Sequence, residues 1–499
     1  MDSRIERAVS CLKKAGLLID LGGDWDTLSE TCSLKSDSRM VRPGDIFACV
    51  CGLHFDGHDF IDKVMKGGAS GLIVQRPVRG LPVSWIQVED VRAAMGYVAA
   101  ELEDEPAQKL KMCAVTGTNG KSTTSCMIRS ILNACGLKCG LLGTIVYDNG
   151  AQAVLADRTT PESSQVQEFL SEMVKNGCAA CSMECSSHGL VQGRLSGCLF
   201  DGAVFTNLSP EHLDFHGDME GYFSAKARLF RNYLKPDAVL SVNAQSPYGR
   251  RLIEEFPQAV SWALDGEARL RARSAEFSLD GSEFDLTFDG KFMGRAHIPL
   301  SGRFNVENAL GAAALCLGMG CEESKVLEGL RDMPQVPGRM ERLNLENGVR
   351  VIIDYAHTAE ALRVLLGTLR PLVQGRLVSL FGHGGDRFAG HRPLLGAAAA
   401  EFADKIFLTM DNPRTEDPLK IAGEIAEGIR SARQDDCFSI VMPREAAIKA
   451  ALDWCEPGDL LVLSGKGPEP YLEINGVKHP YSDKGAVENW MAEKGVRAL

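Results

Sequence analysis

Ala114-Val115-Thr116-Gly117-Thr118-Asn119-Gly120-Lys121-Ser122-Thr123 restricts the possible folds of this chain more than any other stretch. It leaves an apolar run, Lys111 to Thr116, and enters a helix-like run, Ser122 to Ala134. A strand, a glycine loop and a helix in that order hold the phosphates of a nucleotide. Glycines let the backbone approach, and the N–H groups at the helix start point at the anion. Lys121 would reach the terminal phosphates, and the Ser122 hydroxyl would ligate Mg2+. The general pattern asks for a glycine five residues before Gly120, where Val115 stands. The alternative is a glycine turn that binds nothing.

A nucleotide site of this kind is built on a parallel sheet, and the rest of the chain supplies the strands. At 499 residues, length suggests about three domains. Residues 1–110 alternate apolar runs (Asp45 to Cys51, Gly71 to Val74, Ser84 to Val88) with helical ones (Phe60 to Gly67, Val91 to Leu102), a small α/β domain. Arg4 to Leu18 reads as an amphipathic helix and not as a secretory signal, which needs an uninterrupted apolar core. Glu101 to Gln108 reads as a linker. Residues 111–338 alternate strands and helices around the glycine loop, then change to a β-meander between Glu276 and Leu300, followed by a helix from Val306 to Leu317. Residues 339–499 give the clearest series. Strands at Val349–Asp354, Arg376–Phe381, Lys405–Met410, Phe438–Met442 and Asp459–Leu463 alternate with helices, which predicts a Rossmann-like doubly wound sheet. The fold class is α/β in three domains.

Composition excludes some functions. The net charge of -12, without a long basic run, argues against nucleic acid as the main partner. No apolar run spans a bilayer, which points to the cytoplasm. The 16 cysteines follow no framework spacing and read as reduced, packed thiols. Cys178, Cys181 and Cys185, with His188 beyond, could be read as a zinc site. However, Cys181 and Cys185 fall on one buried strand, about 13 Å apart, which favours packing.

Ligands of open α/β sheets bind beyond the carboxyl ends of the strands. In the last domain Asp354-Tyr355-Ala356-His357, Gly382 to Arg387, Asp411-Asn412-Pro413-Arg414 and Gly465-Lys466-Gly467-Pro468-Glu469 all follow strands. Any one of these could be an ordinary polar loop; together they predict one rim of polar groups. In the middle domain Glu184 ends a strand ahead of Ser186-Ser187-His188, and Asn207 to His212 follows the next. A carboxylate, an imidazole and a loop hydroxyl can hold Mg2+ against ATP.

These stretches resemble the Mur ligase family over nearly the whole chain: Gly117 to Ser122, Glu184-Cys185-Ser186-Ser187-His188-Gly189-Leu190, Asn207-Leu208-Ser209 through Asp214, Gly338-Arg339-Met340-Glu341, Asp354-Tyr355-Ala356-His357-Thr358 and Asp411 to Pro418. The last motif is similar to that of the branch that adds meso-2,6-diaminopimelate to UDP-N-acetylmuramoyl-L-alanyl-D-glutamate. The resemblance implies site residues position by position. Gly117, Thr118, Asn119, Gly120, Lys121, Ser122, Thr123, Asn305, Arg339 and Asp354 would hold ATP. Glu184 and His212 would ligate magnesium, and Lys226, on a helix read as Tyr222 to Leu234, matches a lysine that the family carries as a carbamate (N6-carboxylysine). Ser36, Ser38, Leu53, His54 and Phe55 would hold the uridine diphosphate. Thr159, Thr160, Ser186, Gln192 and Arg194 would hold the muramoyl dipeptide. Arg392, Asp411, Asn412, Pro413, Arg414, Gly465 and Glu469 would bind diaminopimelate. For Arg414 the alternative is a surface pair with Glu416 or Asp417. Pro468 stands where the family usually has histidine, and His383 and His391 also depart from the usual loop.

The activity implied is an ATP-dependent amide ligation through an acyl phosphate, by a cytoplasmic monomer, in peptidoglycan precursor synthesis. The same reaction with lysine or another diamino acid is an alternative, as is another ligase of the superfamily such as a folylpolyglutamate synthetase, though that enzyme lacks a separate uridine-nucleotide domain. A non-ligating ATP switch is the alternative of a different class; Glu184, His212 and Lys226 argue against it, because a switch has no need of a second metal constellation.

Overall fold

The alternation read from the sequence is present in the computed structural model, which describes residues 1–499 apart from Thr27, Glu30, Leu53, His54 and Arg79. The chain divides into two compact units. One comprises Met1–Arg273, Leu286–Gly294 and Glu307–Leu330; the other comprises Ser274–Asp285, Arg295–Val306 and Arg331–Leu499.

The first unit starts with a helix, Ser3–Lys14, and a five-stranded sheet. Its strands are β1 (Leu18–Gly22), β2 (Leu34–Lys35), β3 (Ile46–Ala48), β4 (Gly71–Val74) and β5 (Ser84–Val88), in the order β1-β5-β4-β3-β2. The helix stops earlier than its periodicity predicts. Gly16 takes φ +69 and turns the chain, so Leu18 opens a strand that pairs antiparallel with β5. The helix Val91–Leu102 follows, capped by Asp90. Asp104 and Glu105 then take positive φ, which breaks the chain direction within the expected linker before a short turn of helix at Pro106–Lys109.

An eleven-stranded sheet comes next: β6 (Lys111–Thr116), β7 (Cys139–Leu142), β8 (Val146–Asp148), β9 (Ala153–Leu155), β10 (Ala180–Glu184), β11 (Phe200–Phe205), β12 (Leu234–Asn243), β13 (Val260–Ala263), β14 (Leu270–Ser278), β15 (Gly281–Phe288) and β16 (Lys291–Ile298). Its order is β16-β15-β14-β13-β12-β11-β6-β10-β7-β8-β9. β6 lies between β11 and β10 and is parallel to both. Met112, Cys113, Ala114 and Val115 are all fully buried, as expected of a strand covered on both faces. β8 and β9 form an antiparallel edge. The meander β14–β16 appears where it was expected, and its residues are divided between the two units.

The second unit carries β17 (Glu341–Asn344), β18 (Arg350–Asp354), β19 (Leu377–Phe381), β20 (Lys405–Leu408), β21 (Phe438–Ile440) and β22 (Leu460–Ser464), in the order β17-β18-β22-β19-β20-β21. All pairs are parallel except β17 with β18. The carboxyl ends of β18, β19, β20 and β22 therefore open on one edge. A hairpin, β23 (Tyr471–Ile474) and β24 (Val477–Pro480), follows β22 and was not anticipated. Its turn is Asn475-Gly476, both at positive φ, the sequence pair that this turn type prefers. Among the described residues, no helix is long and apolar enough to cross a membrane.

Candidate active site

The glycine loop between β6 and the helix Lys121–Ala134 is bound to the loop that follows β11. Thr118 N donates to Asn207 O (2.9 Å), Asn119 N to Asn207 Oδ1 (2.9 Å), and the Thr206 hydroxyl to Asn119 O (2.7 Å). Ser209 N donates to Thr118 Oγ1 at 3.0 Å, and the Tyr222 hydroxyl lies 3.3 Å from the same oxygen. Two glycines are required. A Cβ at Gly117 would lie 1.9 Å from Thr206 Oγ1, and one at Gly120 2.1 Å from Asn308 Oδ1, both at positive φ. Lys121 Nζ bends back to Gly117 O (3.0 Å) and Thr118 O (2.8 Å). Ser122 and Thr123 lie in the first turn of the helix and are buried.

Glu184 ends β10 and is 2% exposed. Thr144 holds both of its oxygens: the backbone N–H donates to Oε1 at 2.8 Å and the hydroxyl to Oε2 at 3.0 Å. Each oxygen keeps a lone pair, so the carboxylate can still bind a cation. A Cβ at Gly143 would lie 2.3 Å from Glu184 Oε1, so this glycine keeps space beside it. His212 takes φ +56 and leaves its imidazole half exposed. Its ring meets His188 edge-on at 4.9 Å, and His188 in turn meets His216 at 5.5 Å. Burial, then neighbouring titratable groups, lowers His188 and pushes His216 down to about 4, which favours a neutral His216 ring. Lys226 lies on the helix Met219–Asn232, 1% exposed, with its amine 4.5 Å above the Tyr222 ring and donating to Gly117 O at 2.8 Å. Burial and then the charge of Lys121 hold that amine well below the usual lysine range. A hydroxyl, a carboxylate and an imidazole suit Mg2+, whereas a plain lysine does not and its carbamate would.

The set expected for the dipeptide is brought together. The Thr160 hydroxyl donates to Glu184 O (2.9 Å) and lies 3.1 Å from Ser186 Oγ, which caps the short helix Ser187–Val191. Arg194 donates to Thr160 O (2.9 Å) and Gln192 Oε1 (2.6 Å), and Thr159 Oγ1 lies 3.0 Å from the Thr144 hydroxyl. Sequence reasoning missed Thr144 and Tyr222; the Gly143-Thr144 turn after β7 was the available signal for the first.

In the small sheet, Ser36 and Ser38 are partly exposed after β2, and Phe55 is exposed. Leu53 and His54 lie outside the described residues. Nearby, Cys51, Asp56 and His58 form the one metal-type cluster among the described residues. The hydrogen bonds argue against a metal there. His58 Nε2 accepts from Gln75 N (3.1 Å) and Arg76 N (3.3 Å), so the ring proton sits on Nδ1, which donates to Asp56 at 2.7 Å. Cys181 and Cys185 are fully buried, and Cys178 nearly so, in agreement with packing.

In the second unit, Asp354 accepts from Met340 N and Ala356 N, each at 2.8 Å, and burial raises its carboxyl. Arg339 lies over the Tyr355 ring at 4.9 Å, and Asn305 Nδ2 contacts Ser301 O (2.8 Å) and Met340 Sδ (3.6 Å). The three residues expected to hold nucleotide here thus gather around Met340.

The loops at the carboxyl ends of β18–β20 and β22 also converge. Gly465 N donates to Asp354 O (3.2 Å) and Gly385 N to Asn412 O (2.9 Å). Asn412 Nδ2 donates to Glu469 Oε2 (2.9 Å), and the Tyr355 hydroxyl lies 3.5 Å from Glu469 Oε1. A Cβ on Gly465 would meet Asp411 Oδ2 at 2.8 Å. Pro413 is buried, and Arg414 takes φ +51. Arg414 donates to Gly385 O at 2.6 Å and lies 3.3 Å from Glu473 of the hairpin. It does not form the surface pair considered from sequence: Asp417 caps the helix Pro418–Ala432, and Glu416 is taken by Arg392. Arg392 is 1% exposed; its fork is occupied by Glu416 (2.8 and 3.0 Å) and Glu424 (2.6 Å), while its Nε has no partner among the described residues. Lys466, which the sequence placed on the rim without a role of its own, has its amine within this cluster.

Known proteins resemble this chain over most of its length. Models of the Mur ligase family catalytic domain, the Mur ligase middle domain and the Mur ligase glutamate ligase domain match residues 32–102, 115–316 and 338–467. UDP-N-acetylmuramoyl-L-alanyl-D-glutamate--2,6-diaminopimelate ligase of Geobacter metallireducens is 39% identical over 474 residues, covering 90% of this chain and 92% of that protein. The protein of the same name from Synechococcus elongatus is 41% identical, covering 92% and 94%. A solved structure of a ligase of this name superposes with a TM-score of 0.67 at 32% identity, covering 96% of this chain and 98% of that one.

Proposed function

The chain belongs to the Mur ligase family, and from that premise we propose its reaction: ATP-dependent addition of meso-2,6-diaminopimelate to the D-glutamate γ-carboxylate of UDP-N-acetylmuramoyl-L-alanyl-D-glutamate. Residues 1–110 hold the uridine nucleotide, 111–338 the ATP phosphates and dipeptide, and 339–499 the amino acid. The protein acts in the cytoplasm, in assembly of the peptidoglycan precursor.

The observation that carries this reading is the double use of Gly117. Its carbonyl takes hydrogen bonds from Lys121 and Lys226, which places the phosphate loop and the buried lysine at one point. A carboxylate is a poor electrophile, so ATP first phosphorylates it to an acyl phosphate. The amine of the incoming amino acid then attacks, and phosphate leaves. Loop N–H groups and Lys121 bind the β- and γ-phosphates and offset the charge that develops during transfer. Arg194, Thr160 and Ser186 orient the dipeptide carboxylate. Ser122, Glu184, His212 and a carbamylated Lys226 would hold magnesium, which when bound neutralises phosphate charge. Asp411, Asn412, Arg414 and Glu469 receive the far end of the amino acid, with Arg414 facing its carboxylate.

Phosphate release from ATP tests the reading. It should require both the UDP-dipeptide and diaminopimelate. Steady hydrolysis without either substrate would favour a nucleotide switch instead.

A further inference from the structure

Lys466 follows β22 and its side chain is 0% exposed. Its nitrogen lies 2.7 Å from Glu469 Oε2, 3.1 Å from Asn412 Oδ1 and 3.9 Å from Asp411 Oδ1, with the Tyr471 ring 5.1 Å away. All three polar partners belong to the pocket proposed for the amino acid. Glu469 Oε2 is used twice, by Lys466 and by Asn412 Nδ2. Glu469 Oε1 has a long contact with the Tyr355 hydroxyl at 3.5 Å, so it is the oxygen with capacity left for a substrate ammonium. Asn412 Oδ1 accepts from Lys466 and from Glu473 N (2.9 Å), which fixes the orientation of the amide and turns its NH2 to Glu469.

We infer that Lys466 is a specificity-determining residue of this pocket: its buried ammonium positions Asn412 and Glu469 and, by its charge, disfavours a diamino acid whose far end is a bare cation. The inference rests on the amino-acid-ligase reading above. Two carboxylates, Asp411 and Glu469, and one ammonium make up the inner charge set. The far end of diaminopimelate carries an ammonium and a carboxylate and is neutral as a whole. The far end of lysine carries the ammonium alone. Removing Lys466 makes the set more negative by one charge, which attracts a cation more than a zwitterion. Selection then has an attractive element, Arg414 for the carboxylate, and a repulsive one, Lys466 against the lone cation.

The test uses full-length enzyme with ATP and the UDP-dipeptide saturating, and compares kcat/KM for diaminopimelate and lysine. In Lys466→Met the ratio should fall about tenfold or more, with KM for diaminopimelate rising by more than kcat falls. Lys466→Arg, which keeps the charge, should hold the ratio closer to wild type. The double variant Lys466→Met with Glu469→Gln removes one positive and one negative charge, so the set keeps its wild-type net charge and the comparison stays readable where the single variant fails to fold. Its ratio should return toward the wild-type side even though both substrates bind more weakly. An unchanged ratio in Lys466→Met, or a double variant with the low ratio expected of the single, overturns the inference while leaving the ligase reading intact. A wild-type enzyme that ligates neither diamino acid overturns the reading itself.

Discussion

Lys226 Nζ lies 2.8 Å from the Gly117 carbonyl oxygen, the same oxygen that Lys121 reaches at 3.0 Å. Two lysine amines thus share one acceptor inside the protein. Burial, and then the charge of Lys121, hold the Lys226 amine well below the usual lysine range, which favours the neutral form that reacts with CO2. Mass spectrometry under native conditions should find Lys226 carrying one CO2. Lys226→Ala should lose activity, and short carboxylic acids should restore part of it by supplying the missing carboxylate. An unmodified lysine together with no rescue counts against the carbamate.

Lys121 is half-buried at the start of its helix, and its amine bonds to the carbonyls of its own loop. Lys121→Ala should therefore fold normally and lose roughly a hundredfold or more in kcat, the scale of removing a preorganised charge partner from a transferring phosphoryl group. Circular dichroism paired with phosphate release checks both halves. Most of the activity surviving would remove the loop from the mechanism.

Arg392 and Glu416 give a pH prediction. Hydrogen bonds from the Arg392 guanidinium, and then from the Asp386 N–H, push Glu416 down to about 2 from its ordinary 4.5. A carboxyl that is lower in the folded state stabilises the fold above its unfolded value. That contribution disappears as pH falls from about 4.5 toward about 2. Urea unfolding of wild type and Glu416→Gln should show a stability gap that is full at neutral pH and closes over that window. A gap that does not change with pH would place the stabilisation elsewhere.

The sites that were legible in the sequence were those written in local motifs. Gly117 to Ser122 announces its own strand, loop and helix, and Asp354, Asp411 and Gly465 each end a continuous apolar run, so the rim followed from strand order alone. The partners were not legible. Arg392 meets Glu416 and Glu424, and Arg414 meets Glu473, across elements whose packing no local pattern encodes. The hairpin that brings Glu473 was signalled by Asn475-Gly476, and the early end of the first helix by Gly16. Both are turn signals lying next to apolar periodicity, which reads more strongly than they do.

Arg414 should distinguish diaminopimelate from lysine. Its guanidinium is held by Gly385 O and Glu473 through Nη1 and Nε, and its side chain is 25% exposed. Arg414→Ala should cost about 2–4 kcal/mol of diaminopimelate recognition, because a substrate carboxylate is left unpaired. Lysine, which has no such carboxylate, should be affected far less. A ratio of specificity constants unchanged by the mutation would assign Arg414 to holding the hairpin alone.

The identity of the amino acid is tested most directly by offering the wild-type enzyme a panel of amino acids with ATP and UDP-N-acetylmuramoyl-L-alanyl-D-glutamate, and weighing the products. Meso-diaminopimelate should be joined to the dipeptide far more efficiently than lysine or any monoamino acid, with one ADP formed per bond. Equal efficiency with lysine, or ADP formed without a ligated product, would contradict the assignment.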